Sequence, residues 1–213
     1  MFNLSDDERV SKNQETLAAY EAIALEYAQS TEGSSTTAHH ATMQHFVDSL
    51  SPGDTVLELG SGPGWDADFV ESFGTRVRRT DATAAFREFQ VARGKHIEPL
   101  DAVNDAYVDP IWPAYDAVMA LYVLQHIERE DNDTVLRKVA EALRPGGRLL
   151  VTVREGSGDL WEGTSGNRYH VTRWEPSAFE ARVEAAALEP VWTDHFVDEE
   201  GPWLALIARK PLS

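Results

Sequence analysis

Residues 56–64 read VLELGSGPG, a short apolar run followed by three glycines at alternate positions. A tight turn after a strand needs one glycine; three at alternate positions ask for something more. A strand running through bare backbone into a helix sets free N–H groups and a helix N-terminus above the carboxyl edge of a sheet, where open α/β sheets bind ligands. The alternative is a plain strand-to-helix turn with no ligand. Dinucleotide sites use G-x-G-x-x-G, whereas here the pattern is G-x-G-x-G, with Trp65 and Asp66 where the longer motif needs its last glycine. The next acid at a strand end is Asp81, 21 positions after Gly60. That spacing suits a carboxylate accepting both hydroxyls of a ribose, with a helix N-cap as the alternative.

Outward from this stretch, strands and helices alternate. Residues 12–29 suit a helix, with Leu17, Tyr20, Ile23, Ala24 and Tyr27 at spacings of three and four. A second helix covers about 36–49. Strands are expected at 55–59, 76–80, 96–100, 115–121 and 148–153, with helices at 66–73, 83–92 and 132–143 between them. The residues Arg144-Pro145-Gly146-Gly147 stop the last of these helices. An irregular aromatic stretch spans 155–173; a helix at 175–188 and strands near 191–196 and 203–208 follow. Repeated βα units of this kind imply a doubly wound α/β fold with a mostly parallel sheet.

Composition narrows the function classes. The chain has 213 residues, 42% of them hydrophobic, enough for one domain with a real core. The start, MFNLSDDERVSKNQ, is polar and acidic, unlike a secretory signal, and no apolar run approaches a membrane span, so a cytoplasmic protein without membrane contact is expected. With no cysteine, disulfides, thiolate metal sites and cysteine nucleophiles are excluded. The formal net charge of -17 repels a phosphate backbone, which disfavours nucleic acid as partner or substrate. His39, His40 and His45 are spaced wrongly for one helical face and read as surface residues, so no metal site is expected.

The run VLELGSGPG, then Asp81, then YDAV (115–118) leading into ALYVLQHI (120–127), then VLRKVAEALRPGGRLLVTV (135–153), resembles the class I S-adenosylmethionine-dependent methyltransferases over residues 16–209. RRTDATAAF (78–86) and WLALIARK (203–210) are also similar to a bacterial small-molecule subgroup of that family. The resemblance implies a Rossmann-like, seven-stranded sheet with an antiparallel last strand and an N-terminal helical cap. It divides the chain into a cap (1–50), a cofactor-binding core (51–153), a substrate-side loop (154–174) and a C-terminal helix with the last two strands (175–213). It implies that Gly60, Ser61, Gly62 and Gly64 let the methionine part of S-adenosylmethionine approach the backbone. Glu58 then helps to hold the ammonium, Asp81 takes the ribose hydroxyls, and Asp101 with the N–H of Ala102 meets the adenine. Leu121 offers its carbonyl to the methionine amine, and Tyr27 lies in a segment folding over the cofactor.

Methyl transfer from a sulfonium requires positioning, exclusion of water and, for a protonated acceptor, a base. Candidate bases are His126, Tyr169 and His170; for His126 a structural hydrogen bond is the competing role. Trp65, Trp161 and Trp174, with Tyr20, Tyr122 and Tyr169, are candidates to line an acceptor pocket. The N-terminal helix and the stretch 154–174 are free to cover the site. The expected activity is methyl transfer to an O, N or C atom of a small molecule by a monomer or homodimer. A nicotinamide-dependent oxidoreductase and a non-catalytic S-adenosylmethionine-binding protein are the alternatives.

Overall fold

The computed structural model describes residues 11–33, 36–164 and 166–212. The polar first ten residues, read above as lacking a signal segment, lie outside that range. Helices α1 (Lys12–Thr31) and α2 (Thr37–Val47) precede β1 (Thr55–Leu59), α3 (Trp65–Glu71), β2 (Arg76–Asp81), α4 (Ala84–Ala92), β3 (Glu98–Pro99) and β4 (Tyr115–Ala120). A 3-10 turn (Leu124–His126), α5 (Arg129–Ala142), β5 (Leu143–Glu155), β6 (Asp159–Thr164), β7 (Asn167–Trp174), α6 (Pro176–Ala185), β8 (Glu189–Asp198) and β9 (Gly201–Arg209) complete the order.

Strands β3-β2-β1-β4-β5 are parallel neighbours in that order. Strand β9 runs antiparallel beside β5, and β8 antiparallel beside β9. These are the seven strands the resemblance implies, and β6 and β7 extend the sheet to nine. The switch in direction of winding falls between β1 and β4, so their carboxyl ends open the crevice where such sheets bind ligands. Both central strands are buried on both faces. Leu57, Leu59, Val118 and Ala120 pack towards α5 and α6, while Val56, Ala117 and Met119 pack towards α2 and α3.

The stretch expected to be irregular is instead a β-hairpin, β6–β7, joined in parallel to the last two residues of β5 through Arg154↔Arg173 and Glu155↔Trp174. The middle of its second strand is buried on both faces, at His170, Val171 and Thr172, and Trp174 is buried at its end. Gly163, in β6, packs against β7: a Cβ there would stand 2.4 Å from the Asn167 carbonyl oxygen.

Helix α1 begins with a capping box between Ser11 and Gln14. Its buried residues are small (Thr16, Ala19, Ala24, Ala28), which lets it lie close against its neighbours. Thr16 Oγ1 accepts the His170 N–H at 2.9 Å, Arg168 pairs with Glu15 at 3.1 Å, and the Glu21 carboxylate accepts the Ala84 and Ala85 N–H groups that open α4. The two segments expected to cover the crevice therefore meet each other above it. Among the described residues no helix is long and apolar enough to cross a membrane.

Candidate active site

The three glycines have separate reasons to be glycine. All are left-handed, with φ of 65° at Gly60, 52° at Gly62 and 87° at Gly64. A Cβ on Gly60 would stand 2.5 Å from Val123 Cγ2, so the exits of β1 and β4 touch there. One on Gly64 would strike Gln90 Cδ at 2.6 Å and Arg79 Nη1 at 2.8 Å. A Cβ on Gly62 would meet nothing within 4 Å: the middle glycine faces open space. The loop itself is fixed. Ser61 N donates to Thr80 O at 2.8 Å, and Gln90 Nε2 donates to Ser61 Oγ at 2.8 Å and Gly62 O at 2.9 Å.

Two buried acids border the loop. Asp81 is 5% exposed and accepts Gly62 N at 2.7 Å and Thr83 N at 2.8 Å. Burial pushes its carboxyl up, and these N–H groups oppose the shift. Asp81 is thus not the cap residue of α4, which is Thr83, but it shapes the turn into that helix. Glu58 is buried, and its Oε2 has no hydrogen-bond partner among the described residues. Burial holds its carboxyl well above the ordinary range, with Ser61 beside it pulling the other way. A buried carboxylate oxygen without a partner is costly unless a ligand supplies one.

Asp101 follows β3, and its carboxylate is taken up by its own turn, accepting from Val103 N, Asn104 N and Asn104 Nδ2 at 2.8 to 3.1 Å. The Ala102 carbonyl accepts from Tyr107 Oη and Lys138 Nζ, which fixes the peptide beside it. Leu121 is buried at the end of β4. Tyr122 follows with φ 59°, a left-handed conformation rare outside glycine, and donates its N–H to Thr152 Oγ1.

Of the candidate bases, the structure brings two to the crevice. Tyr20 and Tyr27 from α1, Phe86 from α4, His126 and Tyr169 form one aromatic cluster with ring centroids 5.3 to 6.0 Å apart. His126 Nδ1 lies 2.8 Å from the His170 carbonyl oxygen and so carries the proton; Nε2 then accepts from Tyr20 Oη at 2.9 Å. Burial pushes the imidazole down to about 4. A neutral ring with both nitrogens engaged orients Tyr20 rather than taking a proton from substrate. His170 points to the opposite face of β7 from Tyr169. Its ring packs edge-on to Trp161, with Nε2 3.5 Å from Asp159 Oδ2, and is 1% exposed. His170 is therefore corrected from candidate base to buried packing residue.

Among the expected pocket aromatics, Tyr20, Tyr122 and Tyr169 are at the crevice. Trp174 is 2% exposed, sandwiched between Arg129 and Arg182, and Trp161 covers His170. Trp65 stacks under Arg93 and donates to Thr31 Oγ1. A groove of about 980 Å³ between α5, α6 and the β5–β6 turn, lined by Arg129, Arg173, Trp174 and Arg182, contains none of the crevice residues. The candidate site is the crevice, where the buried acids stand beside the open Gly62 backbone.

His39 is the residue the sequence reading misplaced. It is not on the surface: its side chain is 13% exposed, and it joins Asp66 after the glycine loop to Tyr122 after β4. No short-range pattern announces that contact, because its partners lie 27 and 83 residues away.

Residues 57–149 match the family model described as a methyltransferase domain, and residues 3–102 match that described as protein-L-isoaspartate(D-aspartate) O-methyltransferase. No curated protein matches the chain by sequence. Solved structures share the fold at low identity. The DhpI–SAH complex is 19% identical with a TM-score of 0.75, covering 94% of this chain and 98% of that one. The Burkholderia thailandensis 1,6-didemethyltoxoflavin-N1-methyltransferase, with bound 1,6-didemethyltoxoflavin and S-adenosylhomocysteine, is 17% identical with a TM-score of 0.70, covering 99% and 93%. The [4+2]-cyclase SpnF is 18% identical with a TM-score of 0.74, covering 95% and 97%.

Proposed function

We propose that this chain, a member of the class I S-adenosylmethionine-dependent methyltransferase family, binds S-adenosylmethionine over its glycine loop and methylates an O, N or C atom of a small molecule. The observation that carries the reading is Glu58: a buried carboxylate with an unpartnered oxygen at the mouth of the loop. That oxygen fits the ammonium of the cofactor's methionine part, with the Leu121 carbonyl as a second acceptor. Asp81 suits the ribose hydroxyls. Asp101 and the Ala102 N–H suit the adenine side, with the Asp101 carboxylate also holding its own turn.

When bound, the cofactor supplies a methyl group already activated on a sulfonium, whose departure leaves a neutral thioether. What remains for the protein is positioning and dryness. Tyr20, Tyr27 and Tyr169 provide a wall that excludes water and offers ring faces to a cation. A small-molecule acceptor accords with the Burkholderia enzyme and with the chain's charge, which also disfavours nucleic acid. We expect a cytoplasmic monomer or homodimer that does not engage membranes. The cyclase neighbour favours a second reading, a chain that binds the cofactor without transferring its methyl group, since one fold hosts several chemistries. Screening a metabolite panel by mass spectrometry for cofactor-dependent gain of a methyl group separates the two. Turnover of any member supports transfer; cofactor binding with no turnover across hydroxyl, amine and carbon acceptors supports the second reading.

Glu58→Gln should weaken S-adenosylhomocysteine binding by roughly 10- to 150-fold, matching about 1.5–3 kcal/mol for a hydrogen bond to a charged group. Stability should move the other way. A carboxyl whose folded pKa is raised contributes stability below its unfolded pKa, and that contribution is lost as pH rises through the folded value. The glutamine variant escapes this loss, so its melting temperature should equal or exceed the parent's at pH 8. A variant that melts lower at pH 8 and binds as the parent does would show that Glu58 has only a structural role.

A further inference from the structure

Asp66, His39 and Tyr122 form a chain of hydrogen bonds from α3 through α2 to the exit of β4. His39 Nε2 lies 2.7 Å from Asp66 Oδ1, and His39 Nδ1 lies 3.1 Å from Tyr122 Oη. The carboxylate can only accept, so Nε2 carries the proton and Nδ1 presents its lone pair to the tyrosine hydroxyl. Tyr122 is rigidly placed: its ring packs edge-on to Trp203 at 4.8 Å and stacks with His39 at 5.7 Å. Its left-handed backbone, a strained conformation for a residue with a Cβ, is retained next to Val123, which packs at Gly60. The Tyr122 hydroxyl, its proton given to His39, thus belongs to the residue that joins β4 to Val123 at the glycine loop, and among the described residues it makes no other hydrogen bond.

We propose that Tyr122 is the catalytic base of methyl transfer, acting through His39 held by Asp66, and that the acceptor atom is an O–H or N–H group. The proposal rests on the cofactor reading above. As the acceptor atom forms its bond to the methyl carbon, the carbon–sulfur pair goes to sulfur. The acceptor's proton passes to Tyr122 Oη while the hydroxyl proton passes to His39 Nδ1. The positive charge that begins on sulfonium ends on an imidazolium beside Asp66.

The surrounding charges favour this concerted route. Burial, with Asp66, Asp198, Tyr27 and Glu200 nearby, pushes the Tyr122 phenol far up, so a free phenolate does not form. Burial pulls the His39 imidazole down, and the Asp66 contact overcomes it, leaving the ring above its ordinary value. The tyrosine relays a proton without ever holding a charge, and the Asp66 contact makes His39 the stronger base.

Long-range proton–nitrogen spectra of the full chain with S-adenosylhomocysteine test the donor order without any acceptor. His39, assigned through His39→Gln, should show Nε2 protonated and Nδ1 bare at pH 8. Its titration should lie above that of a free histidine and fall in Asp66→Asn. On any panel acceptor with O–H or N–H, Tyr122→Phe should lower kcat at least 100-fold, with S-adenosylhomocysteine affinity within threefold of the parent. A proton on Nδ1 of neutral His39, or kcat within threefold in Tyr122→Phe, overturns the relay while leaving the cofactor reading intact. A parent that methylates only atoms carrying no proton overturns it equally. Failure of the parent to bind S-adenosylhomocysteine sinks the cofactor reading instead, and turnover of no acceptor removes the transfer step and the relay together.

Discussion

Replacing Gly60 with alanine should cost the fold roughly 2–5 kcal/mol and abolish cofactor binding. Two separate penalties add. The new Cβ would stand 2.5 Å from Val123 Cγ2, on a side chain of the β4 exit pressed against the loop. Overpacking of this kind costs about 1–3 kcal/mol. The left-handed backbone at φ 65° adds about 1–2 kcal/mol for any residue with a Cβ. For a chain of this size that total lowers the melting temperature by roughly 4–20 °C. Relief requires moving the loop or the Tyr122–Val123 segment, and both border the cofactor. Gly62→Ala is the informative partner. Its Cβ meets nothing within 4 Å, so only the backbone term of about 1–2 kcal/mol applies. The same methyl, however, projects into the space a ligand would fill. Thermal unfolding and titration with S-adenosylhomocysteine should thus separate the two: Gly60→Ala loses stability and binding together, whereas Gly62→Ala loses binding out of proportion to stability. Equal melting temperatures for Gly60→Ala and the parent would show that the loop is not held as described.

Asp81→Ala should weaken S-adenosylhomocysteine binding by roughly 10- to 150-fold, the loss of charge-assisted hydrogen bonds worth about 1.5–3 kcal/mol. On sequence alone this change leaves the fold untouched. The structure says otherwise, because Gly62 N and Thr83 N both lose their acceptor, at about 1–3 kcal/mol for each N–H that stays buried. Asp81→Asn keeps one acceptor oxygen and should lose less stability than the alanine variant while still binding poorly. Denaturant unfolding beside calorimetry checks both. If Asp81→Ala binds S-adenosylhomocysteine as tightly as the parent, Asp81 serves only the turn into α4.

What the sequence made legible is what local chemistry dictates. VLELGSGPG needs positive φ three times, and no other residue type supplies that cheaply, so β1, its loop and α3 follow. The apolar runs of β1, β4 and β5 must be buried on both faces, which fixes a parallel sheet. The hairpin β6–β7 was hidden because its strands mix charged and aromatic residues; only their antiparallel register shows it. The roles of His39, His126 and His170 were hidden for a different reason. Whether an imidazole is a base depends on which atoms meet its two nitrogens, and for His39 and His126 those atoms come from segments 27 to 106 residues away. Asp101 shows the converse: the right residue follows β3, yet its carboxylate serves its own turn.

The central claim is that the glycine loop, Glu58 and Asp81 form an S-adenosylmethionine site, and calorimetric titration of the purified chain with S-adenosylhomocysteine and, separately, with NAD tests it directly. One S-adenosylhomocysteine should bind per chain, Gly62→Ala and Asp81→Ala should each weaken that binding at least tenfold, and NAD should produce no heat of binding. Tight binding of NAD with none of S-adenosylhomocysteine, or S-adenosylhomocysteine binding that neither substitution disturbs, would contradict it.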